Sequence, residues 1–157
     1  MFRVLLIGII MGWGGLANAQ LLPGSQAPSL ELPDVSGNKV SLSSFRGKWV
    51  LVDFWASWCP PCRLGNRTAR KFYADWKSKG LEVLGVSLDE DKAEWVKAIR
   101  QDKIEWPQVN TPVQWDHPFV QKWQFDRIPT SYLVDPNGII QAVDPEPKAI
   151  TALISRK

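Results

Sequence analysis

Apolar side chains along this chain follow two different spacings. Residues 49–56 and 81–88 are almost continuously apolar, as strands buried on both faces of a sheet are. Between them, Ala69, Phe72 and Trp76 recur at intervals of three and four residues. Such an interval places side chains on one face of a helix, so this segment is predicted to be a helix with a buried stripe.

We expect this helix to begin at Cys59 or Pro60, because proline is favoured in a first turn. It should end near Lys79, where Gly80 can adopt the left-handed conformation of a C-terminal cap. Strands alternating with helices predict an α/β layer fold. Before the first long strand, we predict a hairpin from 27–32 and 39–42 and a short turn at 43–48. After the second, we predict a helix capped by Asp89 or Asp91, an extended segment at 104–113 and a helix starting near Asp116 and Pro118. The chain is predicted to close with strands at 131–134 and 139–143 around a turn and a last helix at 147–155.

Length and charge narrow the class of protein. The 157 residues fit one domain. The formal net charge is only +3 and no run of five like charges occurs, so the sequence does not indicate a nucleic-acid-binding protein. Most of the nine tryptophans are expected in the core, with a minority lining an exposed groove.

The first nineteen residues differ from the rest. A positive charge at Arg3, an apolar run over 4–11 and the small-x-small ending Ala17-Asn18-Ala19 predict a secretory signal peptide. An uncleaved anchor is the alternative, but a membrane-spanning helix needs about 20 apolar residues and this run is shorter. The prediction is therefore a signal peptide at 1–19, a mature domain at 20–157, and export to a periplasmic or other extracytoplasmic compartment that favours disulfides.

The only two cysteines, Cys59 and Cys62, lie at the junction of a buried strand and the long helix. A Cys-x-x-Cys pair without further cysteines indicates a redox couple rather than a disulfide framework. The helix N-terminus favours a thiolate at Cys59, and Arg63 is expected to add positive potential. Cys59 is therefore the expected attacking thiol, and Cys62 the thiol that resolves the mixed disulfide.

Two other interpretations of the pair are weaker. A zinc site needs about four ligands, and the chain adds only His117, far away in sequence, so no metal is expected. A purely structural disulfide would close a very small loop and restrict the unfolded chain little.

Asp53 interrupts the apolar strand six residues before Cys59. A buried carboxylate without a partner tends to bind a proton. One interpretation is that Asp53 accepts the proton of Cys62 when that thiol attacks the mixed disulfide. The other is a structural aspartate that accepts hydrogen bonds from nearby backbone.

The run Trp55-Ala56-Ser57-Trp58-Cys59-Pro60-Pro61-Cys62 resembles the active-site signature of the thioredoxin superfamily. The Pro-Pro dipeptide, the leader, and the segments 23–28 and 41–48 resemble its exported TlpA/ResA branch. The resemblance covers roughly residues 22–155. It implies a thioredoxin-like fold: a central mixed sheet of four or five strands with helices on both faces, an N-terminal β-hairpin extension and a central insertion at 89–126.

The same resemblance implies further site residues. Pro129 is expected in the cis form opposite the cysteines, and the backbone at Ile128 is expected to pair with an extended client segment. Trp58 and Pro60 are expected to line the same substrate-binding surface. No cofactor is implied. The implied partners are client proteins that carry disulfides and a membrane thiol electron donor.

Two positions depart from the branch. Gly65 stands where a glutamate is usual, and Arg67 stands where a proline is usual. Asp53, in contrast, is often absent from the exported branch. These differences suggest the hypothesis that Asp53 performs a proton-transfer role for which Gly65 has no side chain.

The expected function is thus an extracytoplasmic protein-disulfide oxidoreductase. The resemblance favours a reductant of protein disulfides, including those of apocytochrome c before haem attachment. The alternatives are a disulfide-forming oxidase, a thiol peroxidase, and a non-catalytic thioredoxin-like binding module. The peroxidase alternative lacks its usual Pro-x-x-x-Thr-x-x-Cys motif.

Overall fold

The computed structural model describes residues 21–111, 115 and 118–156. The predicted signal peptide at 1–19, together with Asp116 and His117, lies outside these described residues. None of the helices in the described ranges is long and apolar enough to cross a membrane.

A five-stranded mixed sheet forms the centre of the domain, with the strand order β5-β4-β3-β6-β7. The central strand β3 runs parallel to β4 and antiparallel to β6. A separate antiparallel pair, β1 and β2, forms the predicted hairpin. The strands are β1 Glu31–Pro33, β2 Lys39–Ser41, β3 Trp49–Trp55, β4 Leu81–Ser87, β5 Gln108–Asn110, β6 Thr130–Val134 and β7 Ile140–Val143.

Within the described ranges, three α-helices and one short 3-10 helix lie between strands, and a fourth α-helix follows the last strand. The helices are α1 Pro60–Ser78, α2 Lys92–Asp102, α3 Pro118–Trp123 and α4 Pro147–Ile154, with the 3-10 helix at Leu42–Phe45. The bounds of α1 and α4 lie within one residue of the predicted ones, and α3 starts at the predicted Pro118. Asp91, and not Asp89, caps α2, since its side chain accepts hydrogen bonds from the N–H groups of Ala93 and Glu94. Gly80 follows α1 with φ of +84°, as predicted for a glycine cap.

Successive residues of β3 point to opposite faces of the sheet and build two cores. Val50, Val52 and Phe54 pack with residues of α3 and the N-terminal segment. On the other face, Leu51 packs with residues of α1 and α4. This arrangement confirms helices on both faces, and it places Asp53 on the same face as α1.

The segment after α2 was predicted only as extended. Within it, Gln108–Asn110 forms β5, which pairs in parallel with β4 at the edge of the sheet. A three-residue strand interrupted by nearby prolines carries little periodic signal, so the sequence alone did not separate it from a loop.

Candidate functional site: the Cys59–Cys62 disulfide and its surroundings

Cys59 and Cys62 form a disulfide at the N-terminus of α1. Cys59 is the N-cap residue of this helix, and its Sγ accepts a hydrogen bond from the N–H of Cys62 at 3.3 Å. Pro60 and Pro61 fill the first two helical positions, where the missing N–H groups would have no helical partner. The Cys59 sulfur therefore lies where helix N–H groups stabilise a thiolate.

Both sulfurs are nearly buried, since Cys59 is 4% exposed and Cys62 is 2% exposed. They pack in a small apolar cluster with Trp55, Trp95 and Ala98. The rim around them is exposed and apolar: Trp58 is 59% exposed and Leu64 60% exposed, and Pro60 and Pro61 are exposed as well. An incoming disulfide would therefore meet an aromatic and aliphatic surface before it reaches a sulfur.

The Ile128–Pro129 peptide bond is cis, which confirms the expectation from the resemblance. Ile128 is half-buried and packs against the cluster that contains the two cysteines, and Pro129 is exposed beside it. No hydrogen bond joins the backbone of Ile128 to another residue in the described ranges. The fold thus brings a loop of distant sequence to the disulfide and leaves its backbone groups open.

Asp53 lies in β3 on the face that α1 covers. Burial and, to a smaller extent, the nearby carboxylate of Asp144 together raise the pKa of its carboxyl to about 7. The side chain makes no hydrogen bond within the described residues, so the alternative of a backbone-bonded structural aspartate is not observed. At neutral pH this carboxyl can both accept and release a proton.

A cleft of about 480 Å³ connects Asp53 to the surface. The residues that line the cleft include Gly65 of α1, Pro129 and Asp144. A Cβ at Gly65 would meet no atom within 4 Å, so the missing side chain leaves this cleft open. The position of the family's usual glutamate therefore faces the same space as the Asp53 carboxyl.

Asp144 is held in place by β6 and the loop before it. Its Oδ1 accepts a hydrogen bond from the N–H of Ser131 at 2.7 Å, and its Oδ2 accepts one from Arg127 at 3.3 Å. Asp144 could not be predicted as a site residue, because it follows β7 and reaches Asp53 only through Ser131, which lies opposite Asp53 in the pairing of β6 with β3.

Asp89 is a second residue that the sequence did not single out for this site. It is 2% exposed, and its carboxylate accepts hydrogen bonds from the N–H and the hydroxyl of Ser57, two residues before Cys59. Ser87 donates a third contact at 2.7 Å. Asp89 therefore holds the active-site loop against the end of β4.

The structure gives Arg63 an ion-pair partner that the sequence did not predict. Its guanidinium does not stand free beside Cys59 but binds the buried carboxylate of Asp102 at the end of α2, through Nε and through Nη2 at 3.0 Å. Nη1 donates to the carbonyl oxygen of Ser57 at 3.2 Å. The physical reason is that Asp102 is 3% exposed and needs a cationic partner.

Gln108, in the edge strand β5, binds Trp55 at the end of β3, just before the active-site loop. Its Oε1 accepts a hydrogen bond from the indole N–H of Trp55 at 2.9 Å, and its side chain crosses β4 above Gly85. A Cβ on Gly85 would lie 2.2 Å from that amide, so glycine is required for this crossing.

No three His, Cys, Asp or Glu side chains within the described ranges are grouped so that they could hold a metal ion. Of the tryptophans there, only Trp58 and Trp115 are largely exposed, and both line one cleft together with Ser57.

Comparison with known proteins agrees with this geometry. The family model described as AhpC/TSA family matches residues 23–143. The thiol-disulfide oxidoreductase ResA of Bacillus thuringiensis is 27% identical over 155 residues, which span 93% of this chain and 88% of the relative.

Solved structures give the same result. The thioredoxin domain of a thiol-disulfide oxidoreductase from Bacteroides vulgatus superposes with a TM-score of 0.77 at 37% identity, covering 86% of this chain and 96% of that one. A thiol:disulfide interchange protein from a Bacteroides species has a TM-score of 0.75 at 38% identity, covering 85% and 88%. The chain therefore belongs to the AhpC/TSA family and is a thioredoxin-like protein-disulfide oxidoreductase.

Proposed function

We propose that this protein is an exported reductant of protein disulfides that uses Cys59 as its attacking thiolate. The observation that carries the proposal is the position of Cys59 as the N-cap of α1, where its sulfur already accepts the N–H of Cys62. Helix N–H groups and the macrodipole favour the anion at this position. Cys62 lies inside the first turn and is the resolving thiol.

The reaction then proceeds in two exchanges. The Cys59 thiolate attacks one sulfur of a client disulfide, a mixed disulfide forms, and the second client sulfur leaves as a thiolate that takes a proton from water. Cys62 next loses its proton and attacks the Cys59 sulfur. The Cys59–Cys62 disulfide forms and the remaining client thiolate is released, so the client gains the two electrons that this protein loses.

Asp53 is the proposed acceptor of the Cys62 proton. Three features support this role: its pKa near 7, the absence of hydrogen bonds to its carboxyl within the described residues, and the open cleft that leads past Gly65 to the surface. Water in such a cleft can carry the proton away afterwards. This scheme would also supply the proton transfer for which Gly65 offers no group.

The client is proposed to bind in an extended form across the rim. Trp58 and Pro60 offer exposed apolar surface. The backbone N–H and C=O groups of Ile128, beside Pro129, have no hydrogen-bond partner among the described residues. Pairing with these groups would add a short strand to the client–protein interface. This binding mode recognises backbone and therefore suits clients of different sequence.

Export, recharging by a membrane thiol donor and apocytochrome c as a client are part of this proposal. The predicted leader at 1–19 and the likeness to ResA-named relatives support it. In an oxidising compartment a reductant must receive its electrons from inside the cell. The client class would be peptides whose Cys-x-x-Cys-His haem-attachment motif is oxidised.

The test measures direction as well as activity. The reduced protein is mixed with insulin and with a disulfide-bonded Cys-x-x-Cys-His peptide, and the reduction potential is measured against glutathione. We expect rapid reduction of both and a potential below about −200 mV, nearer to thioredoxin than to the oxidase DsbA.

A potential above about −150 mV with oxidation of reduced peptides would instead indicate the disulfide-forming oxidase. Consumption of peroxide in preference to disulfides would indicate the thiol peroxidase. Client binding that survives replacement of both cysteines, without any electron transfer, would indicate the binding module.

A further inference from the structure

The two arginines of α1 that follow the cysteines share one buried carboxylate. Asp102, at the C-terminal end of α2, accepts Arg63 through Nε and Nη2, and accepts Arg67 Nη1 at 3.0 Å. The Asp102 side chain is 2% exposed, whereas Arg63 is 19% exposed and Arg67 is 50% exposed. One negative charge inside the domain therefore faces two positive charges on the active-site helix.

Arg63 links this carboxylate directly to the active-site loop. Its Nη1 donates to the carbonyl oxygen of Ser57, two residues before Cys59, and its backbone N–H donates to the carbonyl oxygen of Cys59 at 3.1 Å. Its Nη2 is shared between Asp102 and Gln101. The guanidinium thus cannot move toward or away from the sulfur independently of α2.

We propose that Asp102 is a positioning residue that sets the stability of the Cys59 thiolate through Arg63. Asp102 neutralises one guanidinium and holds it against the active-site loop. Arg67 reaches the same carboxylate from the second turn of α1 and leaves the cluster with one net positive charge. The inference rests on the proposed role of Cys59 as the attacking thiolate.

The charges around the loop come from several elements. Beside Arg63, Arg67 and Asp102, the carboxyls of Asp89 and Asp53 approach from β4 and β3, and Asp144 follows β7. The cleft that Trp58 borders also holds the acidic side chains of Glu90, Asp91 and Glu94. Arg127, beside the loop of Ile128 and Pro129, pairs with Asp144. The cluster of Arg63, Arg67 and Asp102 carries one net positive charge on the active-site helix, and this charge favours an anion at Cys59 together with the helix N-terminus.

The test titrates Cys59 by thiolate absorbance at 240 nm in the reduced full chain with Cys62→Ser as the common background. Two charge changes of opposite sign are compared. Asp102→Asn removes the negative charge and leaves both guanidiniums, so the pKa of Cys59 should fall. Arg67→Gln leaves a neutral Arg63–Asp102 pair, so the pKa should rise. Each shift should be on the order of half a pH unit, as expected when one unit charge acts across a partly solvated site.

Arg70→Gln is the matched control. Arg70 is exposed on the same helix and forms no ion pair with another residue in the described part of the chain, so its loss changes net charge equally without touching Asp102. It should leave the pKa of Cys59 within about 0.1 pH unit of the background variant. Arg67 is half-exposed, so Arg67→Gln stays informative even if Asp102→Asn folds poorly.

Opposite shifts for Asp102→Asn and Arg67→Gln support the inference. If Asp102→Asn does not fold, a rise for Arg67→Gln beside an unchanged Arg70→Gln still supports it. An unmoved pKa in Arg67→Gln, or shifts of the same sign in the two variants, overturns it, because a purely structural pair would change stability alone. A chain whose Cys59→Ser variant still reduces clients would overturn the proposed function instead, so the two failures are distinguishable.

Discussion

Ser57 and Asp89 are joined by three hydrogen-bond contacts within the described structure. The backbone N–H of Ser57 lies 3.1 and 3.0 Å from the two carboxylate oxygens of Asp89, and the Ser57 hydroxyl lies 2.5 Å from one of them. A carboxylate that accepts several hydrogen bonds in a buried site holds its donors in one geometry. The turn that presents Cys59 is therefore fixed from the end of β4 rather than by its own sequence.

Replacing this carboxylate should loosen the active-site turn. We expect Asp89→Asn to lower the free energy of unfolding by about 1.5–3 kcal/mol, the usual range for a hydrogen bond to a charged group. Urea unfolding followed by tryptophan fluorescence would measure it. Asp91→Asn is the matched control, since asparagine caps helices about as well as aspartate and Asp91 caps α2 from an exposed position. Equal losses in the two variants would contradict the assignment.

The raised pKa of Asp53 makes stability depend on pH in a defined direction. The folded state keeps the proton up to about pH 7, whereas the unfolded chain releases it near pH 3.8. Between these values the folded state binds more protons, so stability falls as pH rises, by up to about 1.4 kcal/mol per pH unit.

Asp53→Asn removes this dependence. The variant's advantage in unfolding free energy over the parent should therefore grow from pH 4 to pH 7 and stay constant above pH 7, as measured by urea unfolding at fixed ionic strength. An advantage that is flat across pH 4–7 would show that the Asp53 carboxyl titrates normally.

The same substitution should slow the second exchange step. With Asp53→Asn, release of client from the mixed disulfide should slow by about 10²-fold near pH 7, the lower end of what general-base catalysis contributes. Stopped-flow tryptophan fluorescence of the reduced variant with a disulfide peptide would separate this step from the first attack, which should be unchanged. An unchanged release rate would remove Asp53 from the mechanism.

Replacing Gly65 or Gly85 by alanine should change the stability of the protein in opposite directions. Gly65 lies in α1, and a methyl group at this position would have no atom within 4 Å. Gly65→Ala should therefore stabilise the protein by about 1 kcal/mol, because alanine has the higher helix propensity. Gly85→Ala should destabilise it by about 1–3 kcal/mol, because the new methyl group displaces the Gln108 amide from Trp55. Thermal unfolding of the two variants measures both, and a loss for Gly65→Ala would contradict an open cleft.

Gly65→Glu tests the relation between the cleft and the proton acceptor. A glutamate at this position would share the cleft with Asp53, and a second carboxylate nearby disfavours ionisation of the first. The pH at which client release reaches half its maximal rate should therefore move upward from about 7, relative to Gly65→Gln as the uncharged control. Identical pH profiles in the two variants would separate position 65 from Asp53.

The sequence predicted the elements of this fold because its strongest signals are local. Continuous apolar runs marked β3 and β4, and the stripe that ends at Trp76 marked α1. The redox pair was equally visible, since Cys59 and Cys62 are the only cysteines. The three-residue strand β5 could not be predicted, because its pairing with β4 depends on contacts between residues far apart in the chain.

The supporting carboxylates were not predictable for the same reason. Asp89 and Asp102 are charged residues at the ends of elements, where the usual expectation is a cap or a solvated surface. Only the packed structure shows that one holds Ser57 and the other holds Arg63. The sequence placed Arg63 one turn after Cys59, but it did not show that Asp102 is the ion-pair partner of Arg63.

The rate of alkylation by iodoacetamide as a function of pH tests the central claim most directly, because it reports the thiolate of each cysteine. It is measured on the reduced Cys62→Ser and Cys59→Ser variants. We expect Cys59 to react with an apparent pKa well below 8.5, the value of a free cysteine, and Cys62 to react slowly until alkaline pH. A low apparent pKa at Cys62, with Cys59 unreactive below pH 8, would contradict the account.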